Sequence, residues 1–455
     1  MRPGAESSIA GRQRTIHAQP ASRVAGSIAV PGDKSISHRA ILLSALATGT
    51  SEVRGFLASE DCLASLAAMR AMGVQIERPA PTEVRVRGAG LHGLGAPGHD
   101  LDMGNAGTAM RLFTGLLSAQ KFDSRLIGDQ SLMRRPMERV AKPLREMGAD
   151  VRTHEGTPPV DVRGGRRLHG IDYRMSVASA QVKSAILLAA LYAEGATTVT
   201  SPAPCRDHSE RMLESAGVQV ITQGLTTRIE PPGRLESQSI AVPGDFSSAA
   251  FFLVAGLLGA AEEGLVLENV GLNPTRTGLL DILRSMGGRI QVENPRMSGA
   301  EPVGDLRVHR SRLHGIAVSK SLVPLAIDEF PVLFVAAACA EGETVIAGAE
   351  ELRVKESDRI AAMGAGFTVL GVAHSVTPDG MRIQGRGEGP VCGAGEVDSC
   401  GDHRIAMAFA VASLRASGPI AIRDTANVAT SFPGFVELAR STGLALSESG
   451  SGDAC

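Results

Sequence analysis

Six times along its 455 residues this chain runs through one pattern. A loop suited to binding an anion or moving a proton leads into a run of small apolar residues. About forty residues after the loop opens, a second segment ends in glycine. The loops open at Lys34, Asn105, Ser179, Asp245, Asp328 and Asp402, and the glycines are Gly73, Gly148, Gly217, Gly287, Gly371 and Gly443. Chance likeness between Ala- and Gly-rich stretches explains one matching pair, but not six in register. The period of roughly 65 to 85 residues exceeds that of the usual solenoid repeats. It restricts the chain to folds that offer six equivalent surroundings, and it places six loops in equivalent positions.

Two kinds of helix fit each repeat. The first is apolar on nearly every side, as in Ala249 to Leu258 or Val332 to Ala338, which predicts a buried helix. The second is amphipathic: Leu279, Ile282, Leu283 and Met286 fall at i, i+3, i+4 and i+7 on one helix face. Gly287 then reads as a C-cap, and Arg289-Ile290-Gln291-Val292 as an extended run. Helices alternating with strands in this way predict an α/β chain with helices buried beneath sheets.

The tetrapeptide Val30-Pro31-Gly32-Asp33 returns as Val242-Pro243-Gly244-Asp245, each time ahead of a buried-type helix. Pro-Gly is a turn signal. These two places are expected to be where the chain passes between domains, giving a first domain of residues 34–241 and a second built from 1–33 and 242–455. Residues 1–20, polar and Arg-bearing, are expected to form a disordered tail. They lack the apolar core of a signal peptide.

Composition removes several classes of function. A formal net charge of −2 creates no field toward nucleic acid or a membrane surface. There is no Trp and there are two Tyr, which argues against base stacking. No apolar run reaches membrane-spanning length. Cys62, Cys205, Cys339, Cys392, Cys400 and Cys455 form no CxxC, so reduced thiols in a cytoplasmic protein are expected. Cys392, Cys400 and His403 lack a fourth partner, and no metal is expected.

The loops carry the chemistry. In Asp33-Lys34-Ser35-Ile36-Ser37-His38-Arg39, Lys34 and Ser35 stand at a helix start with Arg39 about one turn in, a cradle for phosphate or carboxylate. Gly104-Asn105-Ala106-Gly107 lets a ligand approach the backbone closely. Arg134 and Arg135 precede Pro136. Ser179 and Gln181 supply neutral donors, although Ser179 is equally a plain N-cap. Arg206 lies in a charge-dense stretch whose ordinary reading is a surface helix start. Asp328 and Glu329 precede an apolar helix, either as dipole partners or with Asp328 as a base. In Lys355-Glu356-Ser357-Asp358-Arg359, Lys355 and Arg359 would share a helix face at i, i+4, with Glu356 a carboxyl among cations. Arg404 opens the last repeat. Lys34, Arg39, Arg135, Arg206, Lys355, Arg359 and Arg404 together imply a ligand of high negative charge. Two phosphates at about −1.5 to −2 each plus two carboxylates would match it.

These motifs closely resemble the 5-enolpyruvylshikimate-3-phosphate synthases. The resemblance runs from about Val30 to Phe432-Pro433. It rests on Pro-Gly-Asp-Lys-Ser-Ile-Ser-His-Arg, Gly-Asn-Ala-Gly-Thr-Ala-Met-Arg, Arg-Arg-Pro-Met, Ser-Ala-Gln-Val-Lys-Ser, Asn-Pro-Thr-Arg-Thr-Gly, Ile-Asp-Glu and Leu-Arg-Val-Lys-Glu-Ser-Asp-Arg. It implies the two-domain enolpyruvyl transferase fold, an inside-out α/β barrel-like arrangement of six βαβαββ units, three per domain, that closes on its substrates. It also implies transfer of the enolpyruvyl group of phosphoenolpyruvate to the 5-hydroxyl of shikimate 3-phosphate, with no metal or organic cofactor. The expected protein acts on these small molecules as a monomer.

Carried over by motif, Lys34, Ser35, Arg39, Ser179, Ala180, Gln181, Arg206, Asp328 and Lys355 would bind shikimate 3-phosphate. Lys34, Asn105, Gly107, Arg135, Gln181, Glu356, Arg359 and Arg404 would bind phosphoenolpyruvate, and Asp328, Glu356 and Lys34 would be catalytic. The family is the target of glyphosate, which occupies the phosphoenolpyruvate site. Many members carry Lys where this chain has Thr430, a second Ser at Ala180 and Pro at Leu112; the three departures resemble the class II subgroup. UDP-N-acetylglucosamine enolpyruvyl transferase, the rival within the fold, uses a mobile-loop Cys, and Gly128 to Met137 here has none. A non-catalytic anion-binding regulator is a second rival, disfavoured because it would gain nothing from the acids Asp328 and Glu356.

Overall fold

The structure, a computed structural model, describes residues 14–450. In chain order its α-helices are α1 (Lys34–Leu46), α2 (Glu60–Ala71), α3 (Gly107–Leu117), α4 (Glu138–Glu146), α5 (Ala180–Ala190), α6 (His208–Ser215), α7 (Phe246–Gly259), α8 (Gly278–Ser285), α9 (Val323–Ala326), α10 (Phe330–Ala338), α11 (Arg359–Val369), α12 (His403–Ala412) and α13 (Phe435–Thr442). The six apolar runs are α1, α3, α5, α7, α10 and α12. Their burial follows from composition: with no polar face to offer solvent, every residue of α7 and of α10 is buried.

The amphipathic partners are α2, α4, α6, α8, α11 and α13. Each ends one or two residues before the glycine of its repeat. All six glycines have left-handed φ: 90° at Gly73, 98° at Gly148, 84° at Gly217, 93° at Gly287, 70° at Gly371 and 110° at Gly443. A side chain there would strain the turn that leads from helix to strand, so the recurring glycine is a backbone requirement. In α8 the expected face is the buried one, with Leu279, Ile282, Leu283 and the capping Met286 all inaccessible.

Among the described residues strands gather into six small sheets, five of mixed direction and one, built from Glu341–Ile346, Gly380–Arg386 and His374–Thr377, antiparallel. The fold is mixed α/β, with sheets outside and the apolar helices inside. Two hydrophobic cores result. One runs from Ile36 to Val242 around α1, α3 and α5; the other takes Ile16 to Val30 and Phe246 to Leu446 around α7, α10 and α12. They are called here the first and second halves.

The chain crosses between the halves at the two Val-Pro-Gly-Asp segments, which lie against each other. Asp33 N donates to Pro243 O and Asp245 N to Pro31 O, both at 2.8 Å, and Gly32 and Gly244 form an antiparallel bridge. The expected tail needs correction. Residues 1–13 lie outside the described residues, but Arg14–Gln19 is a strand between Ile420–Arg423 and Ala445–Gly450, antiparallel to both. Its apolar content is only Ile16 and Ala18, but they alternate and both are fully buried.

No helix among the described residues is long and apolar enough to cross a membrane. Crowding at the crossover gives a direct test. A Cβ on Gly32 would stand 1.9 Å from the Gly55 carbonyl oxygen, a backbone atom that cannot swing aside. A Cβ on exposed Gly98 would meet nothing within 4 Å. Gly32→Ala is expected to lose stability at the upper end of the roughly 1–3 kcal/mol typical of overpacking. Gly98→Ala should stay within about 0.5 kcal/mol of wild type. Urea unfolding midpoints check both.

Candidate active site

The opening loops of all six repeats lie at the N-terminal ends of the buried helices. Four are capped by their own side chains. Asp33 accepts from Ile36 N at 2.9 Å, Ser179 from Val182 N at 3.4 Å, Asp245 from Ser247 N at 2.8 Å and Asp402 from Arg404 N at 2.9 Å. No side chain caps α3; Gly107 N turns back to Asn105 O at 2.8 Å, which leaves the amide of Thr108 for an anion.

Two carboxylates of the second half gather the cations. Asp328 pairs with Arg206 from the first half, with Lys355 Nζ at 3.3 Å and with Arg359 Nη1 at 3.6 Å; Arg404 Nη1 donates to its backbone oxygen at 2.9 Å. Glu356 accepts from Arg359 Nη2 at 2.6 Å and from Arg135 Nη1, across the halves, at 3.5 Å. Arg139–Glu351, at 2.8 Å, is a further pair between the halves. Arg359 is 1% exposed and held by Asp402, yet its Nη1 has no hydrogen-bond partner. Such an unspent buried donor is costly unless something else arrives to use it.

These contacts set the protonation states. Burial opposes ionisation of Asp328, but Lys355, Arg206, Arg404 and Arg359 outweigh it and hold the carboxyl well below its ordinary range. Glu356 is half-buried, which opposes its ionisation, and is likewise held well below, by Arg359, Arg135 and Lys34. Burial works against Lys34 as a cation, but Asp61, 2.9 Å from Nζ, raises its pKa. Burial, Lys34 and Arg404 push His403 far down, so it is a neutral imidazole.

The remaining expected residues surround this centre. Arg135 Nη2 donates to Asn105 Oδ1 at 2.6 Å, and a Cβ on Gly107 would lie 2.9 Å from Arg135 Nη1. Gln181, in the first turn of α5 beside Ala180, accepts from Arg111 Nη1 at 2.6 Å and donates to Thr108 Oγ1 at 2.9 Å. Arg39 is anchored within the first half: three of its N–H groups go to Ser35 O at 2.9 Å and to the Ser184 and Ser209 hydroxyls at 2.7 Å each.

One local expectation fails. Lys355 and Arg359 do not share a helix. A 3-10 turn ends at Val354, and α11 begins at Arg359 with Asp358 as its cap, accepting from Ala361 N at 3.0 Å. An acid that caps the next helix ends the helical spacing of the charged run. Both cations still reach Asp328.

Sequence reading also missed three supports. Asp61 stands in the first turn of α2, where an acid reads as a dipole partner. Asp402 reads as a cap. Arg111 was visible as the last residue of Gly-Asn-Ala-Gly-Thr-Ala-Met-Arg; burial among Arg139 and Arg135 lowers its pKa to about 9. At the three departures, Thr430 Oγ1 donates to Asn427 O at 2.7 Å, Leu112 is fully buried and Ala180 opens α5. No cluster of His, Cys, Asp and Glu that could hold a metal occurs among the described residues.

Residues 18–438 match the family model described as EPSP synthase (3-phosphoshikimate 1-carboxyvinyltransferase). A 3-phosphoshikimate 1-carboxyvinyltransferase of Alkalilimnicola ehrlichii is 59% identical over 432 residues, covering 95% of this chain and 96% of that protein. One of Methylococcus capsulatus is 58% identical over 428 residues, covering 94% and 97%. A solved EPSP synthase from Acinetobacter baumannii superposes with a TM-score of 0.86 at 53% identity, covering 96% of this chain and 100% of that one.

The depressed carboxyls give a pH prediction with a definite sign. A carboxyl whose folded pKa is lowered contributes stability that is complete above its unfolded pKa, near 4, and lost as the pH falls through the folded value. Asp328→Asn and Glu356→Gln should therefore each flatten the acid limb of stability below about pH 4.5 relative to wild type. Urea midpoints measured between about pH 6 and 3 check this. Unchanged limbs in both variants would show that the cation cages do not hold these groups ionised.

Proposed function

The chain belongs to the EPSP synthase family, the 3-phosphoshikimate 1-carboxyvinyltransferases, and from that premise we propose which side chains carry its reaction. The enzyme transfers the enolpyruvyl group of phosphoenolpyruvate to the 5-hydroxyl of shikimate 3-phosphate and releases phosphate, a step of the shikimate pathway. The observation that supports the residue assignment is the convergence of cations from both halves on two half-buried carboxylates.

In this reading Lys34, Ser35, Arg39, Ser179, Ala180, Gln181 and Arg206 hold shikimate 3-phosphate, with Arg39 also ordering the Ser35 backbone. Asp328 and Lys355 flank the 5-hydroxyl. Phosphoenolpyruvate lies against Asn105, Gly107 and Gln181, with Lys34, Arg135, Arg359 and Arg404 on its charges. Before it binds, Glu356 is ionised because Arg359 and Arg135 sit on it. When those guanidiniums turn to phosphate and carboxylate, Glu356 loses the partners that stabilise its charge. Its pKa rises, it takes up a proton from water as the substrates bind, and a half-buried carboxyl becomes a proton donor at neutral pH.

Asp328 then takes the proton of the 5-hydroxyl as that oxygen bonds to the central carbon of phosphoenolpyruvate. Glu356 gives its proton to the methylene carbon. The tetrahedral adduct loses its C–O bond to phosphate, a methyl proton returns to Glu356, and the proton on Asp328 leaves with the phosphate. Both carboxyls end as they stood in the substrate complex, and Glu356 gives its proton back to water as the products leave. Lys34, Arg135, Arg359 and Arg404 stabilise the charge on the departing phosphate.

The two cores act as domains, residues 34–241 and residues 1–33 with 242–455, closing as their cations share one polyanion. The enzyme works as a monomer in the cytoplasm, where thiols such as the five unpaired cysteines among the described residues stay reduced.

Phosphate release should require shikimate 3-phosphate and not respond to UDP-N-acetylglucosamine as acceptor. Asp328→Ala and Glu356→Gln should each lower kcat by about 10²-fold or more, with a much smaller change in shikimate 3-phosphate binding. Near-normal turnover in both variants would remove the assigned roles.

Gly107 gives a second test. A methyl there must displace Arg135 Nη1 and also stands 3.1 Å from Arg111 Nη1. The longer inhibitor glyphosate has less room to yield than phosphoenolpyruvate, which is discrimination by repulsion. Gly107→Ala should raise the inhibition constant of glyphosate by about tenfold more than the KM for phosphoenolpyruvate, the effect of roughly 1.4 kcal/mol. The wild type should be more sensitive than relatives carrying Ala at this position. Equal changes in both constants would overturn the placement of Gly107.

A further inference from the structure

The motif Asn273-Pro274-Thr275-Arg276-Thr277 has no part in the reaction above, yet it touches both halves. It joins strand Ala260–Gly271 to α8 and runs beneath the crossover. Asn273 Nδ2 donates to Asp207 Oδ1 at 2.6 Å and to Glu301 Oε2 at 3.0 Å. Asp207 belongs to the first half and adjoins Arg206, while His208, the next residue, meets Glu301 at 2.7 Å. One end of the loop is thus fastened beside Arg206.

The other end is fastened to the crossover itself. Arg276 is 3% exposed. Its Nη2 lies 2.8 Å from Asp245 Oδ1, 2.9 Å from Ser247 Oγ and 3.6 Å from Asp33 Oδ2. Asp33 and Asp245 are the corresponding residues of the two Val-Pro-Gly-Asp segments, and they cap α1 and α7. Asp33 adjoins Lys34. Ser247 donates onward to Glu329, which adjoins Asp328. One guanidinium therefore links the loop of Lys34 to the loop of Asp328.

The charges do not balance. Two buried carboxylates share one arginine. Burial and the Asp33 charge raise the pKa of Asp245; burial opposes ionisation of Asp33, but Arg276 and His208 keep its carboxyl below the ordinary value. A buried ion pair contributes little net stability compared with apolar packing of the same volume. What this one does supply is geometry, because it fixes two crossing strands at the point where the halves meet.

We infer that Arg276 is a positioning residue: it locks the two crossover segments against each other so that Lys34 and Asp328 meet the same bound substrates in register. The inference rests on the roles assigned above to Lys34 and Asp328.

The test compares Arg276→Met, Arg276→Lys and the double variant Arg276→Met/Asp33→Asn. Arg276→Met leaves two buried carboxylates facing each other and should lose both Tm and kcat. The double variant removes one charge of each sign, and Asn still serves as an N-cap. It should recover Tm while kcat stays about 10- to 100-fold below wild type, as expected for displaced catalytic groups. Shikimate 3-phosphate affinity by calorimetry should fall by no more than about threefold, since most of its proposed ligands stay in the first half. Arg276→Lys, which keeps the charge, should recover part of kcat. If Arg276→Met fails to fold, the other two variants carry the comparison. A double variant with wild-type kcat, or a Lys variant no faster than the double variant, would overturn the inference and leave Arg276 a structural charge. A wild type that releases no phosphate would instead overturn the assigned reaction and the roles on which the inference rests.

Discussion

Two backbone hydrogen bonds of 2.8 Å, exchanged between Asp33 and Pro243 and between Asp245 and Pro31, hold the crossing segments together. Nearly everything at the site depends on that crossing. Each half alone is a set of apolar helices under sheets, with helix N-termini at one end. The crossing makes those two ends face each other. Gly32 and Gly244 allow the strands to touch, and Asp33 and Asp245 turn the chain straight from the crossing into α1 and α7. Lys34 therefore cannot stand far from the second half, and Asp328, linked through Glu329 and Ser247 to the same clasp, cannot stand far from the first.

The repeat was legible in the sequence because each half of it has a local cause. An all-apolar run has only one place to go, and a helix that must turn back into a strand needs a residue at positive φ. The loop residues were legible for the same reason: Lys34, Ser179, Asp245 and Asp402 occupy the first positions of helices, where sequence position and spatial position agree. The strand Arg14–Gln19 was not legible. It carries two inward residues among polar ones, and its partners lie at the far end of the chain, with His17 bonded to Ser449 432 residues away. Pairing over such a separation leaves no local mark. The helical spacing of Lys355 and Arg359 misled because a charged run with i, i+4 spacing looks the same whether or not an interior Asp caps a new helix. Asp61 and Asp402 were hidden differently: a side chain at a helix start has an adequate local use, and nothing nearby states that it also holds a catalytic cation.

The crowding of cations also explains why the acids are where they are. Lys34, Arg135, Arg206, Lys355, Arg359 and Arg404 cannot converge in a partly dry cleft without counter-charge, since like charges at close range raise the energy of the folded state. Asp328 and Glu356 supply it, and each stays ionised at the cost of its own desolvation. A substrate pair bearing two phosphates and two carboxylates brings more negative charge than these two acids, so it can take the guanidiniums from them. On the reading proposed here, that exchange is what activates the chemistry. The carboxyls are left in a buried site with fewer partners, and protonation becomes the cheaper way to satisfy them. Binding and proton transfer are thereby coupled without any further moving part. The same exchange keeps the acids from acting on water in the empty cleft, where their pKa values lie too low for either to donate a proton at neutral pH.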